Sequence, residues 1–182
     1  MRRFDLCVVG SGPAGQKGAI QAAKLGKSVC VIESRDVVGG CAINTGTIPS
    51  KALREAILNL GGCPVPAAPT NSNFLAAARG ATMANLWSSC DRVIRAEIEL
   101  VRGHFASNGI RVFHGTGRFV GPNSLSVEGP TGHETVEADH ILLAVGTSPA
   151  RLPGVPFNQE DIITSDEILQ LRSLPRSMIV VG

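Results

Sequence analysis

Gly10-Ser11-Gly12-Pro13-Ala14-Gly15 and the later Glu33 are residue types whose spacing can hold a dinucleotide. Gly10 permits a tight turn after a strand. Gly12 lets the backbone approach a diphosphate, and Gly15 lets the following helix pack closely on the strand. The diphosphate would sit at the helix N-terminus, on free N–H groups and the positive end of the dipole. Glu33 falls about 20 residues after the glycines, where a carboxylate accepts hydrogen bonds from ribose hydroxyls. The alternative is a tight structural turn with a surface glutamate.

The flanking elements decide between these readings. Residues 4–9 form an apolar run expected as a buried parallel strand. A helical pattern follows through Ala19, Ile20, Ala23 and Leu25. A second strand over 28–32 ends at Glu33. Strand, glycine turn, helix and terminal acid together favour nucleotide binding.

The 182 residues can bury a substantial core, and one domain is the natural count. The net charge is +2 with both signs interspersed, so no basic stripe points to nucleic acid and no polybasic cluster to anionic lipid. Arg2-Arg3 precede a short run broken by Asp5 and ended by glycines, which reads as a strand rather than a signal sequence. No apolar stretch approaches membrane-spanning length. Cys7, Cys30, Cys41, Cys63 and Cys90 are scattered without metal-type clustering. Cys7 and Cys30 fall in expected core strands, where thiols act as small hydrophobes. This usage suits a reducing cytoplasm.

Further along, 52–60 reads as a helix with Leu53, Ile57 and Leu60 on one face, and 61–73 as a loop. Residues 74–105 read as a long amphipathic helix through Leu86, Cys90, Ile94, Ile98, Val101 and Phe105, ended by Asn108-Gly109. Trp87 and Phe105 are expected in its core. Short alternating runs at 110–113, 117–120, 124–127 and 134–136 read as a small antiparallel sheet. Residues 140–145 read as a buried strand closed by the loop Gly146-Thr147-Ser148-Pro149. The apolar run Met178-Ile179-Val180-Val181 ahead of Gly182 repeats the pattern of Leu6 to Gly10. It is expected to be the first strand of a second nucleotide-binding domain. The fold class is therefore α/β: a Rossmann-like domain over 1–172, with a parallel sheet and a small inserted antiparallel sheet, and that strand within 173–182. The alternative for the last strand is an edge of the first sheet.

The segment Gly40-Cys41-Ala42-Ile43-Asn44-Thr45-Gly46-Thr47-Ile48-Pro49-Ser50-Lys51-Ala52 resembles the redox-active segment of the pyridine nucleotide-disulfide oxidoreductase family, and the whole chain resembles that family's FAD-binding half. Two cysteines flank a short turn before Ile-Pro-Ser-Lys in the disulfide reductases. Ala42 and Thr47 stand at those positions here, with Cys41 one place early, so no dithiol can form. The threonine, Leu53-Arg54-Glu55-Ala56 and Gly115-Thr116-Gly117-Arg118-Phe119 look most like the soluble pyridine nucleotide transhydrogenases. Ala144-Val145-Gly146-Thr147 carries valine where the family commonly has threonine.

The resemblance implies FAD as cofactor and NAD(P) as substrate. Gly10, Gly12, Pro13, Ala14 and Gly15 would hold the diphosphate, and Glu33 the adenosine ribose. Gly40 and Cys41 would line the diphosphate through their N–H groups; Gly115 would read the adenine, and Gly146 would belong to the cofactor loop. Thr47 would lie under the flavin, or cap the helix before Ile48. Lys51 would stabilise negative charge on reduced flavin, or be a solvated lysine paired with Glu55. His104, His114, His133 and His140 are dispersed and carry no assigned role. The implied activity is hydride transfer between NADPH and NAD by a cytoplasmic, homodimeric full-length protein, the N-terminal part being inactive alone. An NAD(P)H dehydrogenase using a non-disulfide acceptor, and a non-catalytic FAD-binding module, are the competing expectations.

Overall fold

The computed structural model describes residues 2–60, 82–130 and 132–181. The chain divides into two units, residues 1–44 with 95–148 and residues 45–94 with 149–182. The expected loop at 61–73, the first part of the long helix and Cys63 lie outside the described residues.

The first unit is built on one six-stranded sheet, of order β3-β2-β1-β6-β5-β4. The strands are β1 (Arg2–Val9), β2 (Val29–Glu33), β3 (Arg111–His114), β4 (Thr116–Gly121), β5 (Ser124–Gly129) and β6 (Gly132–Leu143). β1 runs parallel to β2 and to β6, and β2 runs parallel to β3. β5 is antiparallel to both β4 and β6. The antiparallel strands are inserted in the parallel sheet as expected and continue it through β6, whereas the run at 110–113, expected among them, forms the parallel strand β3. β6 joins the two parts. It merges the runs expected at 134–136 and 140–145, because the intervening Glu137 and Ala138 pair with Arg3 and Phe4 of β1. A polar stretch that looks like a break in sequence is held extended by neighbours. The run expected as a buried strand at 140–145 ends at Leu143 and is not buried at its far end: Leu142 and Leu143 of β6, and Val145 beyond it, are exposed.

One face of the sheet carries a continuous core of Cys7, Cys30, Ile32, Phe113, Leu125, Val127, Val136 and Ala138, with Phe4 packed against it. Phe4 meets Phe113 edge-on at 6.1 Å between ring centroids. Cys7 and Cys30 are register partners and fully buried. The Cys30 thiol is pushed well above its ordinary range by its hydrogen bond with Cys7 and by burial. α1 (Pro13–Lys24) lies against β1 and β2 through its small buried residues Gly15 and Ala19.

α2 (Gly40–Asn44) is a short helix that the sequence pattern does not signal. α3 (Thr47–Leu60) starts five residues before the expected position 52. Pro49 falls in its first turn, where the missing N–H has no intrahelical partner in any case. α4 (Met83–Ser107) follows, and the boundary between the units falls within it. In the second unit Leu53, Ala56 and Ile57 of α3 pack with Met83, Leu86 and Leu171. Phe105 is buried as expected, but Trp87 is 40% exposed, because it lies off the buried stripe of α4. α4 ends as read: Gly109 takes φ +65° and Asn108 Nδ2 donates to the His104 carbonyl at 2.8 Å.

A 3₁₀ helix (Ser165–Gln170) carries a capping box, with Thr164 N–H donating to the Glu167 carboxylate at 2.7 Å. Buried Glu167 also accepts from Arg151 at 2.6 Å. The strand expected at 178–181 does not form. No described strand offers it a hydrogen-bonding partner, and Ile179, Val180 and Val181 are at least 85% exposed.

Candidate nucleotide-binding turn

The site grows from the ends of β1 and β2. Gly10 leaves β1 with φ +104°, and its N–H donates to the Ile32 carbonyl at 2.8 Å. A side chain at Gly10 would strike the Ala144 carbonyl, so both the turn and the neighbouring chain require glycine. Gly12 is the N-cap of α1, Pro13 opens the helix, and Gln16 N–H bonds back to the Gly12 carbonyl at 2.9 Å. Ala14 and Gly15 therefore carry N–H groups with no carbonyl one turn earlier to bond. Pro13 and Ala14 are exposed, while Gly15 is buried against Gly10 and Val8.

Glu33 closes β2, 5% exposed, with its carboxylate held by the protein. Oε2 accepts from the Ser11 N–H at 3.0 Å and from the Ser11 hydroxyl at 2.5 Å. Oε1 accepts from the Arg35 N–H at 2.9 Å. Glu33 is a buried, oriented acid and not a surface glutamate.

A second glycine turn meets the first. The Gly39 N–H donates to the Ser11 hydroxyl oxygen at 3.0 Å. Gly40 follows with φ +61°, and a Cβ there would lie 2.7 Å from the Gly12 Cα. Cys41, next in α2, directs its thiol at the Thr147 carbonyl, 3.6 Å away. Gly146 turns with φ +72° and is exposed. Gly115 donates its N–H to the Glu33 carbonyl at 2.8 Å, so the turn after β3 is tied to the end of β2. Gly10, Gly12, Pro13, Ala14, Gly15, Glu33, Gly40, Cys41, Gly115 and Gly146 all belong to this unit.

Thr47 and Lys51 belong to the other unit, both exposed on the first turns of α3. Thr47 is the first helical residue and not the cap: Ser50 N–H bonds to the Gly46 carbonyl at 3.0 Å, which puts the cap at Gly46. The expected Lys51–Glu55 pair is replaced by an Arg54–Glu55 contact at 3.5 Å. That unit also holds a mainly apolar cavity of about 610 Å³, lined by Thr45, Leu53, Arg54, Ile57, Ile168 and Leu169 among others. The Thr45 hydroxyl is buried without a hydrogen-bond partner among the described residues.

Ser11 and Gly39 are the residues that the sequence reading did not single out. Strand pairing is the signal that finds Ser11. Val9 is in register with Ile32, so the turn that follows Val9 comes alongside Glu33.

The family model for pyridine nucleotide-disulphide oxidoreductases matches residues 4–182. The chain belongs to that family. Within it, this chain is 45% identical over 189 aligned residues to a soluble pyridine nucleotide transhydrogenase of Mycobacterium tuberculosis, covering all of this chain and 39% of that protein. It is 37% identical to the transhydrogenase of Pseudomonas entomophila, over 98% of this chain and 38% of that one. The chain thus spans about two-fifths of the length of the curated relatives it matches. The fold is that of LpdA from Mycobacterium tuberculosis, with a TM-score of 0.77, 23% identity, and coverage of 96% of this chain and 38% of that one. The HOCl-induced flavoprotein disulfide reductase RclA of Escherichia coli matches with a TM-score of 0.73 at 23% identity, over 94% of this chain and 35% of that one. A six-stranded α/β sheet with parallel and antiparallel parts is therefore the frame that this chain shares with those structures. No helix among its described residues is long and apolar enough to cross a membrane.

Proposed function

We propose that this chain is the FAD-binding part of an oxidoreductase that transfers hydride between NADPH and NAD, a soluble transhydrogenase. The observation that carries this reading is the pairing of Ala42 and Thr47 with an otherwise matched Ile48-Pro49-Ser50-Lys51 segment. Two sulfurs are needed for a dithiol, and neither position supplies one. Names given to relatives at 45% and 37% identity support the same choice.

FAD, when bound, supplies the hydride chemistry; the protein supplies position and electrostatics. The Ala14 and Gly15 N–H groups and the dipole of α1 hold the diphosphate. The facing glycines, Gly12 and Gly40, have no side chains to keep it away. Glu33 takes the adenosine ribose, Cys41 contributes its backbone N–H, and the Gly115 carbonyl takes the adenine. Gly146 belongs to the loop beside the cofactor. Lys51 supplies a cation that offsets the negative charge gained on reduction, and Thr47 a hydroxyl for the ring. The pyrophosphate cradle fits the group on geometry: first-turn N–H groups of α1 without helical partners, left-handed glycines and one oriented carboxylate.

The wider reading includes a domain over 1–172, a second nucleotide-binding domain opening within 173–182, a cytoplasmic homodimer and nicotinamide nucleotides as partners. Its support is the exposed apolar run Ile179 to Val181 and the free Cys7, Cys30, Cys41 and Cys90. The test is steady-state turnover of the full-length protein, with NADPH as donor and an NAD analogue as acceptor. Turnover with lipoamide or glutathione disulfide and none with the NAD analogue would refute the reading.

A further inference from the structure

We propose that Ser11 is a positioning residue for the ribose-binding carboxylate of Glu33. The inference rests on the nucleotide reading above and adds a residue to it. Ser11 is fully buried between Gly10 and Gly12. Its hydroxyl has one proton, and the local geometry fixes where that proton goes. The Gly39 N–H donates to the hydroxyl oxygen, so at that contact Ser11 is an acceptor. The Ser11 proton is left for Glu33 Oε2, 2.5 Å away. The Ser11 N–H reaches the same oxygen at 3.0 Å.

Both Ser11 donors thus converge on Oε2, and Arg35 N–H occupies one side of Oε1. The Ser34 hydroxyl reaches Oε1 only at 3.5 Å, the outer limit of a hydrogen bond. A carboxylate has about four acceptor sites, so the one a ribose hydroxyl can take, by displacing that weak contact, is on Oε1. Ser11 holds one oxygen of the acid and thereby aims the other. Through Gly39 it also ties down the turn that brings Gly40 against Gly12. Without the hydroxyl, the carboxylate keeps the Ser11 and Arg35 backbone donors and the long Ser34 contact, and is held less firmly toward the ribose.

The experiment is calorimetric titration of the purified 182-residue chain with ADP and with 2′,3′-dideoxy-ADP, which lacks the hydroxyls that Glu33 would bind. The wild-type chain is expected to prefer ADP by roughly ten-fold. In Ser11→Ala the ADP affinity falls until the preference is about two-fold or less, while dideoxy-ADP binding is unchanged. A purely structural role would weaken both nucleotides together and leave the ratio intact. Ser11→Gly removes the hydroxyl but keeps the N–H, and serves if the alanine variant fails to fold. An intact ratio in the variant overturns the role of Ser11 alone. A wild-type chain that binds neither nucleotide, or binds both equally, overturns the ribose reading of Glu33 and this inference with it.

Discussion

Gly40 passes so close to Gly12 that a Cβ on Gly40 would lie 2.7 Å from the Gly12 Cα. Residues 28 apart in the chain therefore meet backbone to backbone at the start of α1. Gly40→Ala would add this clash to the strain of a left-handed alanine, itself about 1–2 kcal/mol. A loss of about 2 kcal/mol or more is expected, seen as a thermal midpoint lowered by roughly 4–8 °C. Gly109→Ala is the control, because Gly109 is also left-handed at φ +65° but meets nothing within 4 Å. Equal losses in the two variants would show that the Gly12–Gly40 approach does not matter.

Glu33→Ala removes the acceptor for the ribose, and charge-assisted bonds of this kind contribute about 1.5–3 kcal/mol. FAD affinity should fall roughly ten-fold or more. Fluorescence titration with FAD reads this directly; an unchanged dissociation constant would assign Glu33 to holding Ser11 and Arg35 only.

Ala42 and Thr47 predict a flavoprotein without a thiolate beside its ring. Anaerobic reduction of the full-length protein should bleach the flavin spectrum without a long-wavelength charge-transfer band, and lipoamide should not be reduced. Appearance of that band on two-electron reduction would contradict the assignment.

Asp5 gives a pH dependence with a definite sign. The Ser28 hydroxyl and N–H, and then Lys27, hold its carboxyl down at about 2. The unfolded value is about 3.9, so the folded value is the lower one. Its contribution is present above about pH 4 and is lost as pH falls through about 2. Urea midpoints of wild type and Asp5→Ala should differ at pH 7 and converge toward pH 2. A difference that stays constant across that range would exclude the mechanism.

The glycine spacing, the alternation of apolar and polar residues, and the acid ending the second strand determined the local order of this protein. They fixed the first two strands, the first helix and the end of α4, because each follows from neighbouring residues. The family segment at Ile48-Pro49-Ser50-Lys51 was equally legible, as was the absence of its two sulfurs. Tertiary structure decided what depends on distant partners. β6 is one strand because β1 and β5 use its two edges. Residues 178–181 carry a strand's sequence but form none, since a strand exists only when a neighbour accepts its hydrogen bonds. Thr47 looks like a cap, yet the helix begins on it, because the Gly46 carbonyl accepts the first bond. Ser11 is a plain serine in the sequence and becomes the link between Glu33 and Gly39 only when β1 and β2 pair. A carboxylate's free lone pairs depend on which donors the fold brings to it, and no local pattern records that.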